Sequence, residues 1–387
     1  MPEKAGRSMP SFGRNTKVRQ IGHNEIGLFV GLPFRLYKSD PNWVAPLISQ
    51  QRRSLLGQDN KFIAESEHNF LMGFRDGKPV SRVMVAKNEG LSAKQAISIA
   101  TFSLPEAEDE EAMQAVISEA ELWAASKGAK RLIGPWSPTN GEDGIGLMVQ
   151  GFDDPPVILN SYNKAWYAES LEAMGYAKLS DFVGYEVDTS RIPMESLEKA
   201  TETALQRADV EAGMLDMSRL EDELKDIHAV MAEAFQGEWF NDMPTYDEFR
   251  KLAGPLAKLA FHELVWLARD RKTARLVAFI VTIPDWNQVL RLMRGRLFPF
   301  GWAFMIGARK RITRVRLMMQ YCLKEYQGSS VIPALYAKVV ENAMKMGIHR
   351  AEASVILETN TRSRRAIERI GGRLSRVYRW YAKDLEA

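Results

Sequence analysis

The sequence contains the same order of secondary-structure patterns twice. Each copy reads as a hairpin, a strand, a helix, a strand, a helix and a final strand, judged from hydrophobic periodicity and turn residues. The helix-to-strand junctions also match, since Gly128–Arg131 (GAKR) corresponds to Gly347–Arg350 (GIHR) and Gly175 corresponds to Gly371. This repeat predicts an α+β fold of two tandem units, each a mixed β-sheet flanked by helices.

Length and composition limit how the chain is divided and what it binds. Its 387 residues suffice for more than one core. We predict a disordered basic tail over 1–20, a first unit over 21–188 and a second unit over 189–387. Net charge is only +3 and the cations are clustered, which argues against nucleic-acid binding. The polar start does not resemble a secretory signal, so we expect a cytoplasmic protein.

Neither disulfides nor a metal site is expected. Cys322 is the single cysteine, and the five histidines show no ligand spacing. A reducing compartment fits this composition.

A predicted strand, loop and helix in the second unit suit an anionic ligand. Strand Arg314–Leu323 is followed by Lys324–Leu335, KEYQGSSVIPAL. Backbone N–H groups of a tight loop that opens a helix can hold a pyrophosphate. The matching stretch of the first unit, Leu104–Glu111, has five acids and no glycine, and would repel one. An ordinary strand-to-helix turn is the alternative interpretation.

The repeated order resembles the acyl-CoA-dependent N-acyltransferase fold of the GNAT superfamily. That superfamily's loop reads Gln/Arg-x-x-Gly-x-Gly/Ala; here Gln327 matches, and Ser330 and Ile332 replace the glycines. The resemblance implies acyl-CoA as co-substrate in the second unit, no metal, and a degenerate first unit that supports the site or helps to bind the acceptor. The implied cofactor-binding residues are Met319, Tyr321, Leu323, Gln327, Gly328, Ser329, Ser330 and Val331.

The resemblance also implies the catalytic groups. Direct transfer needs a base for the ammonium and an acid for the leaving thiolate. The superfamily's usual acid is a tyrosine, but the position aligned from Asn360 is Ile367. Asp285 and Glu358 follow predicted strands and are the candidate bases, although either could be a simple turn or surface carboxylate. The candidate catalytic residues are therefore Asp285, Glu358, Asn360, Tyr326 and Tyr381, with Tyr378 a further possible acid and Glu142 and Asp143 possible ammonium ligands.

The stretch Asn287–Leu317 is basic and aromatic and contains no acid. Residues 287–313, called the insertion below, stand where the first unit has only the short link Asn88–Gln95. Rings beside cations suit a lipid headgroup layer, with about 1 kcal/mol per cation. Its apolar centre is shorter than the roughly 20 residues that span a bilayer. A buried loop beside a solvated basic face is the alternative. The residues expected to meet an anionic membrane and a lipid acceptor are Phe298, Phe300, Trp302, Phe304, Arg309, Lys310 and Arg311.

Six further motifs together resemble a bacterial family of tandem GNAT-like proteins, some similar to bacterial ceramide synthase. The motifs lie at 33–44, 134–140, 151–156, 284–288, 295–299 and 378–381. The resemblance implies transfer of a long-chain acyl group from acyl-CoA to the amine of a sphingoid base, on the inner face of the cytoplasmic membrane. A soluble GNAT that acetylates a polar amine and a non-catalytic GNAT-like module are the alternatives.

Overall fold

The computed structural model describes residues 16–58, 60–139, 144–235, 237, 239–240 and 242–385. The strands are β1 (Lys17–Ile21), β2 (Glu67–Arg75), β3 (Lys78–Lys87), β4 (Ile99–Ala107), β5 (Arg131–Gly134), β6 (Leu147–Gln150), β7 (Ala177–Asp188), β8 (Val210–Met214), β9 (Val265–Asp270), β10 (Leu276–Pro284), β11 (Arg314–Cys322), β12 (Arg350–Leu357) and β13 (Arg373–Asp384). The α-helices are α1 (Ile26–Leu36), α2 (Ile48–Leu55), α3 (Lys61–Glu65), α4 (Glu89–Ala93), α5 (Glu110–Ser126), α6 (Tyr167–Ala173), α7 (Met194–Arg207), α8 (Leu220–Ala234), α9 (Tyr246–Leu259), α10 (Asn287–Met293), α11 (Ala308–Arg311), α12 (Val331–Lys345) and α13 (Thr361–Arg369).

One continuous sheet runs through both units. Its order is β1-β2-β3-β4-β5-β13-β7-β12-β11-β10-β9-β8, and β6 pairs with β13 beside this path. The order has approximate two-fold symmetry about the antiparallel pair β13/β7. On each side, counting β13 or β7 as the first strand, the second and third strands outward are parallel neighbours, β5 with β4 and β12 with β11. The two mixed sheets predicted from the repeat are confirmed, but they are fused.

The units exchange their last strands. β7 closes the first unit along the chain, yet it pairs with β12 of the second. β13 closes the second unit and pairs with β5 of the first. A boundary at 188/189 therefore separates the chain but not the sheet. Every strand pair between β5 and β12 holds the two units together by backbone hydrogen bonds.

Helix α5 illustrates how the local sequence builds each layer. Asp109 caps its start by accepting a hydrogen bond from the Ala112 N–H at 3.0 Å. Ala112, Val116 and Ala120 recur every fourth residue and are fully buried against the first unit's sheet. Gly128, with φ of +76°, ends the helix in the left-handed conformation that glycine adopts without strain.

Some predicted boundaries were wrong. Residues 17–20, assigned to the tail, belong to β1, which pairs antiparallel with β2, while residues 1–15 lie outside the described part of the chain. β6 forms inside the predicted loop 134–156, and β8 forms an edge strand that periodicity did not indicate. Within the described ranges, no helix is long and apolar enough to cross a membrane.

Candidate active site

A gap opens between the parallel strands β11 and β12. They pair only from Arg314–Arg350 to Leu317–Ala353. A bulge at Met318 follows, after which β11 continues alongside β10 and β12 continues alongside β7. Two strands that diverge at mid-sheet leave room for a ligand to pass between them. We call this opening the gap.

Helix α12 begins near the far end of β11, and no acidic side chain neutralises the positive end of its dipole. Ser330 caps the helix in the left-handed conformation, with φ of +68°, and makes no side-chain capping bond. The first turn contains no acid. Gly328, with φ of +86°, turns the chain ahead of it. The positive end of the helix dipole therefore faces outward, as an anion site requires.

The other residues predicted to bind the cofactor surround this helix start. Gln327 accepts a hydrogen bond from the Arg362 guanidinium at 2.9 Å, which adds a cation beside the loop. Leu323 and Val331 are buried, and Met319 and Tyr321 pack against the second unit's core from β11. The loop is thus fixed by apolar contacts on one side and open on the other.

Asn360 and Glu358 lie at the end of β12. The Asn360 side chain caps α13 by accepting a bond from the Ser363 N–H at 3.1 Å. Glu358 accepts from the Asp181 N–H at 3.0 Å and meets Lys178 Nζ at 2.7 Å, both on β7. Glu358 keeps about a third of its side chain exposed, at 32%. Both residues therefore lie just beyond the end of β12, with Glu358 held by β7 and Asn360 by α13.

Tyr326 and Tyr381 are not brought to the gap. The Tyr326 hydroxyl donates to Asp270 Oδ2 at 2.8 Å, in the β9–β10 turn, and this bond helps to lower the pKa of Asp270 to about 2. Tyr381 is buried in the first unit's core, where its hydroxyl donates to Glu172 at 2.9 Å. Burial raises the pKa of Tyr381 to about 12. Each of these two hydroxyls is therefore engaged by a carboxylate away from the gap.

Asp285 is buried in a contact between the units. One carboxylate oxygen accepts from Arg314 Nε at 2.7 Å, and the other accepts from the Ile158 N–H at 2.9 Å. None of its side chain is exposed. A base must reach a substrate amine, and these contacts leave Asp285 no open approach. The carboxylate instead holds the first unit's segment 151–160 against the second unit.

Two of the motifs that resemble the bacterial family contact each other through segment 151–160. Asp154 Oδ2 meets Arg314 at 2.7 Å and Arg350 at 2.8 Å. The Pro156 carbonyl accepts from the Asn287 side chain at 2.9 Å. GFDDPP at 151–156 and PDWNQ at 284–288 therefore bind each other, although Pro156 and Pro284 are 128 positions apart in the sequence.

Two buried polar atoms beside the gap have no hydrogen-bond partner among the described residues. They are Asn160 Oδ1 and the Tyr378 hydroxyl. The Asn160 amide N–H₂ donates to Ser354 Oγ at 2.8 Å and Glu352 at 2.9 Å, and Ser354 directly follows the last β11–β12 pair. Tyr378 is fully buried; burial raises its pKa, and an interaction with the Asn160 side chain partly offsets that rise. An unpaired buried polar atom costs about 1–3 kcal/mol, so these two atoms pair with each other or with a ligand group.

An aromatic cluster packs in the same apolar core as Tyr378. It consists of Trp136, Phe182, Trp239, Phe240 and Trp380, with the Trp136 and Trp380 rings stacked at 4.6 Å between centroids. Val355 and Leu357 of β12, beyond the pairing with β11, pack on the same core. Sequence reasoning missed Asn160, Trp239 and Phe240; their only signal was a position inside long inter-element loops. Glu142 and Asp143 lie outside the described residues.

The centre of the insertion presents five large apolar side chains to solvent. Phe300 is 78% exposed and Phe298 74%, and Ile306, Trp302 and Phe304 follow at 64%, 49% and 37%. The Trp302 N–H binds the Leu297 carbonyl at 2.8 Å, which folds the chain so that the rings project outward. The buried-loop interpretation is therefore wrong. We call these five side chains the platform.

The cations around the platform differ in their engagement. Arg309 pairs with Glu263, and Arg311 donates to the Phe304 carbonyl at 3.1 Å. Lys310 and Arg291 meet no carboxylate within the described ranges. The platform also lies at the start of β11, whereas Gln327 follows its end. A nine-residue strand separates them by about 26 Å, so the insertion is not adjacent to the cofactor loop.

Two curated proteins are similar over nearly their full lengths. Bacterial ceramide synthase of Caulobacter vibrioides is 30% identical over 372 residues, which cover 93% of this chain and 95% of that protein. Protein YghO of Escherichia coli is 26% identical over 378 residues, covering 94% of each. No protein-family model matches the chain.

Solved structures share the fold at low identity. A tandem GNAT protein from the clavulanic acid biosynthesis pathway superposes with a TM-score of 0.58 at 10% identity, covering 96% of this chain and 99% of that one. A GCN5-related N-acetyltransferase from Sphaerobacter thermophilus gives a TM-score of 0.55 at 12% identity, covering 96% of both chains. These similarities place the fused units in the tandem GNAT fold.

Proposed function

The chain belongs to the bacterial family of tandem GNAT-like acyltransferases that includes bacterial ceramide synthase, and from this premise we propose that it transfers a long-chain acyl group from acyl-CoA to a sphingoid-type amine at a membrane surface. It is an N-acyltransferase. The single observation that carries the lipid part of the proposal is the exposed platform, because an enzyme for a soluble amine has no use for it.

The donor is proposed to bind at the start of α12. At this helix start the Ser330 side chain makes no capping hydrogen bond and the first turn contains no acid, which suits the CoA pyrophosphate. Arg362 adds a nearby positive charge. The pantetheine arm would then follow β11 towards the bulge at Met318. This assignment uses the second unit alone.

The acceptor is proposed to bind on the opposite side of the gap. Asn160 Oδ1 accepts a hydrogen bond from the amine or the neighbouring hydroxyl of this substrate. The aromatic cluster offers apolar contacts for the alkyl chain of the substrate. Each methylene buried there would contribute about 0.8 kcal/mol. Asp285 and segment 151–160 act as positioning groups, because they hold Asn160 in place.

The reaction exchanges one bond for another. Glu358 takes one proton from the ammonium, the free amine attacks the thioester carbonyl carbon, the new C–N bond forms, and the C–S bond breaks. The departing thiolate takes a proton from the Tyr378 hydroxyl, which replaces the tyrosine missing at Ile367, and the surplus proton of the attacking nitrogen returns to the Tyr378 oxygen. We propose Glu358 as the group that first receives the ammonium at the outer end of the gap, since its carboxylate is partly exposed.

A donor and acceptor matrix tests the proposal. Purified protein is incubated with palmitoyl-CoA or acetyl-CoA, with sphinganine or a polar amine, and free thiol and N-acyl product are followed. The expected result is product from palmitoyl-CoA and sphinganine only. Activity confined to acetyl-CoA and polar amines would favour a soluble acetyltransferase. No thiol release with any pair would favour a non-catalytic module.

Vesicle flotation tests the role of the platform. Changing Phe298, Phe300, Trp302 and Phe304 to Ser should abolish flotation with vesicles rich in phosphatidylglycerol. A variant with Leu122→Ser and Leu374→Ser removes exposed apolar side chains elsewhere, at 64% and 46% exposure, and should float normally. Equal flotation of the two variants would remove the platform from the proposal.

A further inference from the structure

An open cavity of about 510 Å³ lies where the insertion meets the first unit. The contact is built by a sharp turn at Arg294 and Gly295, both left-handed with φ of +47° and +77°. Gly295 packs so closely on Phe34 that an added Cβ would lie 2.5 Å from the ring, and its carbonyl accepts from the Ile48 N–H at 3.0 Å. The cavity is lined by Gly31, Phe34, Ile48, Met293, Arg294 and Arg296.

The lining combines an apolar floor with two cations. Phe34, Ile48 and Met293 supply carbon surface, while Arg294 and Arg296 flank it with exposed guanidinium groups. Across the part of the chain that the structure describes, neither arginine is paired with an acid. Desolvated apolar surface beside unpaired guanidinium groups fits a ligand that joins an anion to an alkyl chain.

This chemistry separates the cavity from both substrate sites. An ammonium acceptor would be repelled by the two arginines. The CoA pyrophosphate is assigned to the start of α12, beyond the far end of β11, roughly 26 Å from Arg314. A free inorganic anion would gain nothing from Phe34 and Met293. A membrane phospholipid with an anionic headgroup satisfies both parts of the lining.

We propose that the cavity seats one anionic phospholipid, its phosphate between Arg294 and Arg296 and its glycerol and upper chain against Phe34, Ile48 and Met293. The platform follows Arg296 directly in the chain, so rings inserted in a bilayer would hold the cavity mouth at headgroup depth. The inference rests on the proposed action at a membrane. It adds a stoichiometric, charge-selective lipid site to general adsorption.

Monomeric short-chain lipids test the site without a bilayer or a substrate. The full-length protein is titrated by calorimetry with dihexanoyl-phosphatidylglycerol below its critical micelle concentration, and separately with dihexanoyl-phosphatidylcholine and inorganic phosphate. The expected result is one site for phosphatidylglycerol, at least tenfold weaker binding of phosphatidylcholine, and no measurable binding of phosphate. Equal binding of both lipids, equal binding of phosphate, or no binding would overturn the proposal.

Two pairs of variants locate the site. R294Q/R296Q should weaken phosphatidylglycerol binding at least tenfold, whereas R291Q/K251Q removes two charges outside the cavity and should change it less than twofold. Gly31→Leu should fill the cavity and weaken binding at least fivefold. Gly27→Leu is its control on the same helix, since an added Cβ meets nothing within 4 Å at either glycine. Equal affinities in the Leu pair would exclude the cavity.

The result is independent of the catalytic proposal. Phosphatidylglycerol binding with the expected variant pattern, in a protein that makes no N-acyl lipid, would sink the proposed acceptor but keep the lipid site. Lipid N-acylation without binding of the monomeric lipid would do the reverse.

Discussion

In the first unit, helix α5 begins behind the Asp109 side chain, which also pairs with Arg75; in the second, α12 begins behind Ser330 without a capping side chain. Glu110 and Glu111 occupy the first turn of α5, and no acid occupies the first turn of α12. The first unit therefore neutralises its own helix dipole, while the second leaves it for a ligand.

The space between the two parallel strands is also closed in the first unit and open in the second. In the first unit the chain turns after β5, and the backbone N–H of Trp136 donates to the Phe102 carbonyl at 2.7 Å. This bond closes the space between β4 and β5. Gly134 is required there, because a Cβ would lie 2.4 Å from that carbonyl. In the second unit β12 runs on to Leu357 beside β7, and the opening persists. A repeated unit therefore loses its ligand site when the protein's own atoms fill the positions that a ligand would occupy.

Tyr378→Phe should have the largest effect, because it removes the phenol assigned to the second unit's gap. We expect kcat to fall about 100-fold, within the usual range for a general acid. The free energy of unfolding should fall by no more than about 1 kcal/mol, since the hydroxyl's neighbour is the Asn160 side chain and the hydroxyl makes no well-aligned hydrogen bond in the described structure. Steady-state thiol release and urea unfolding measure the two quantities. A near-normal kcat would show that Tyr378 is not the general acid.

Ser330→Asp would make the second unit resemble the first at the helix start. A carboxylate at this N-cap should repel the pyrophosphate and raise KM for acyl-CoA about 30-fold, or about 2 kcal/mol. Ser330→Asn is the matched control, because asparagine also tolerates positive φ but carries no charge. KM values close to wild type in both variants would show that the pyrophosphate binds elsewhere.

Local features of this comparison could be predicted from the sequence. The Gly-containing loop ahead of α12, the acids ahead of α5 and the repeat itself depend on neighbouring residues. The exposed platform also followed from local composition. The bulge and the gap did not, because they arise where one strand must choose between two partners.

The catalytic residues were harder to predict because their contacts are distant in sequence. Asp285 binds the backbone of Ile158, which lies 127 residues away, so a strand-end aspartate resembled a base when it is a positioning group. Tyr378 and Tyr381 stand three residues apart on β13 and therefore face opposite sides of the sheet. The strand exchange decided which core each of the two rings enters, and no local pattern encodes it.

Tyr167→Phe is the first unit's counterpart to the Tyr378 variant and should have the opposite profile. The Tyr167 hydroxyl donates to the buried Glu106 at 2.9 Å and accepts from the Ala107 N–H at 2.8 Å. Losing it should lower the free energy of unfolding by about 2 kcal/mol and leave kcat within twofold. Urea unfolding followed by tryptophan fluorescence measures the first. A large fall in kcat at unchanged stability would mean that the first unit takes part in catalysis.

Glu248→Gln should have the smallest effect, on a contact that joins the units away from both helix starts. Glu248 meets Lys61 of α3 at 2.5 Å and completes the capping box of α9, and together these lower its pKa from 4.5 to about 2. Because the folded-state pKa is lowered, the stabilisation is complete above about pH 4.5 and is lost as pH falls towards 2. Solvent screening of this exposed pair limits it to about 0.5–1 kcal/mol. The urea midpoint of the variant should therefore depend less steeply on pH in that window. Glu65→Gln is the control, since Glu65 lies 3.9 Å from the same Lys61 in an open geometry. An equally flattened acid limb in the control would assign the effect to net charge and not to this contact between the units.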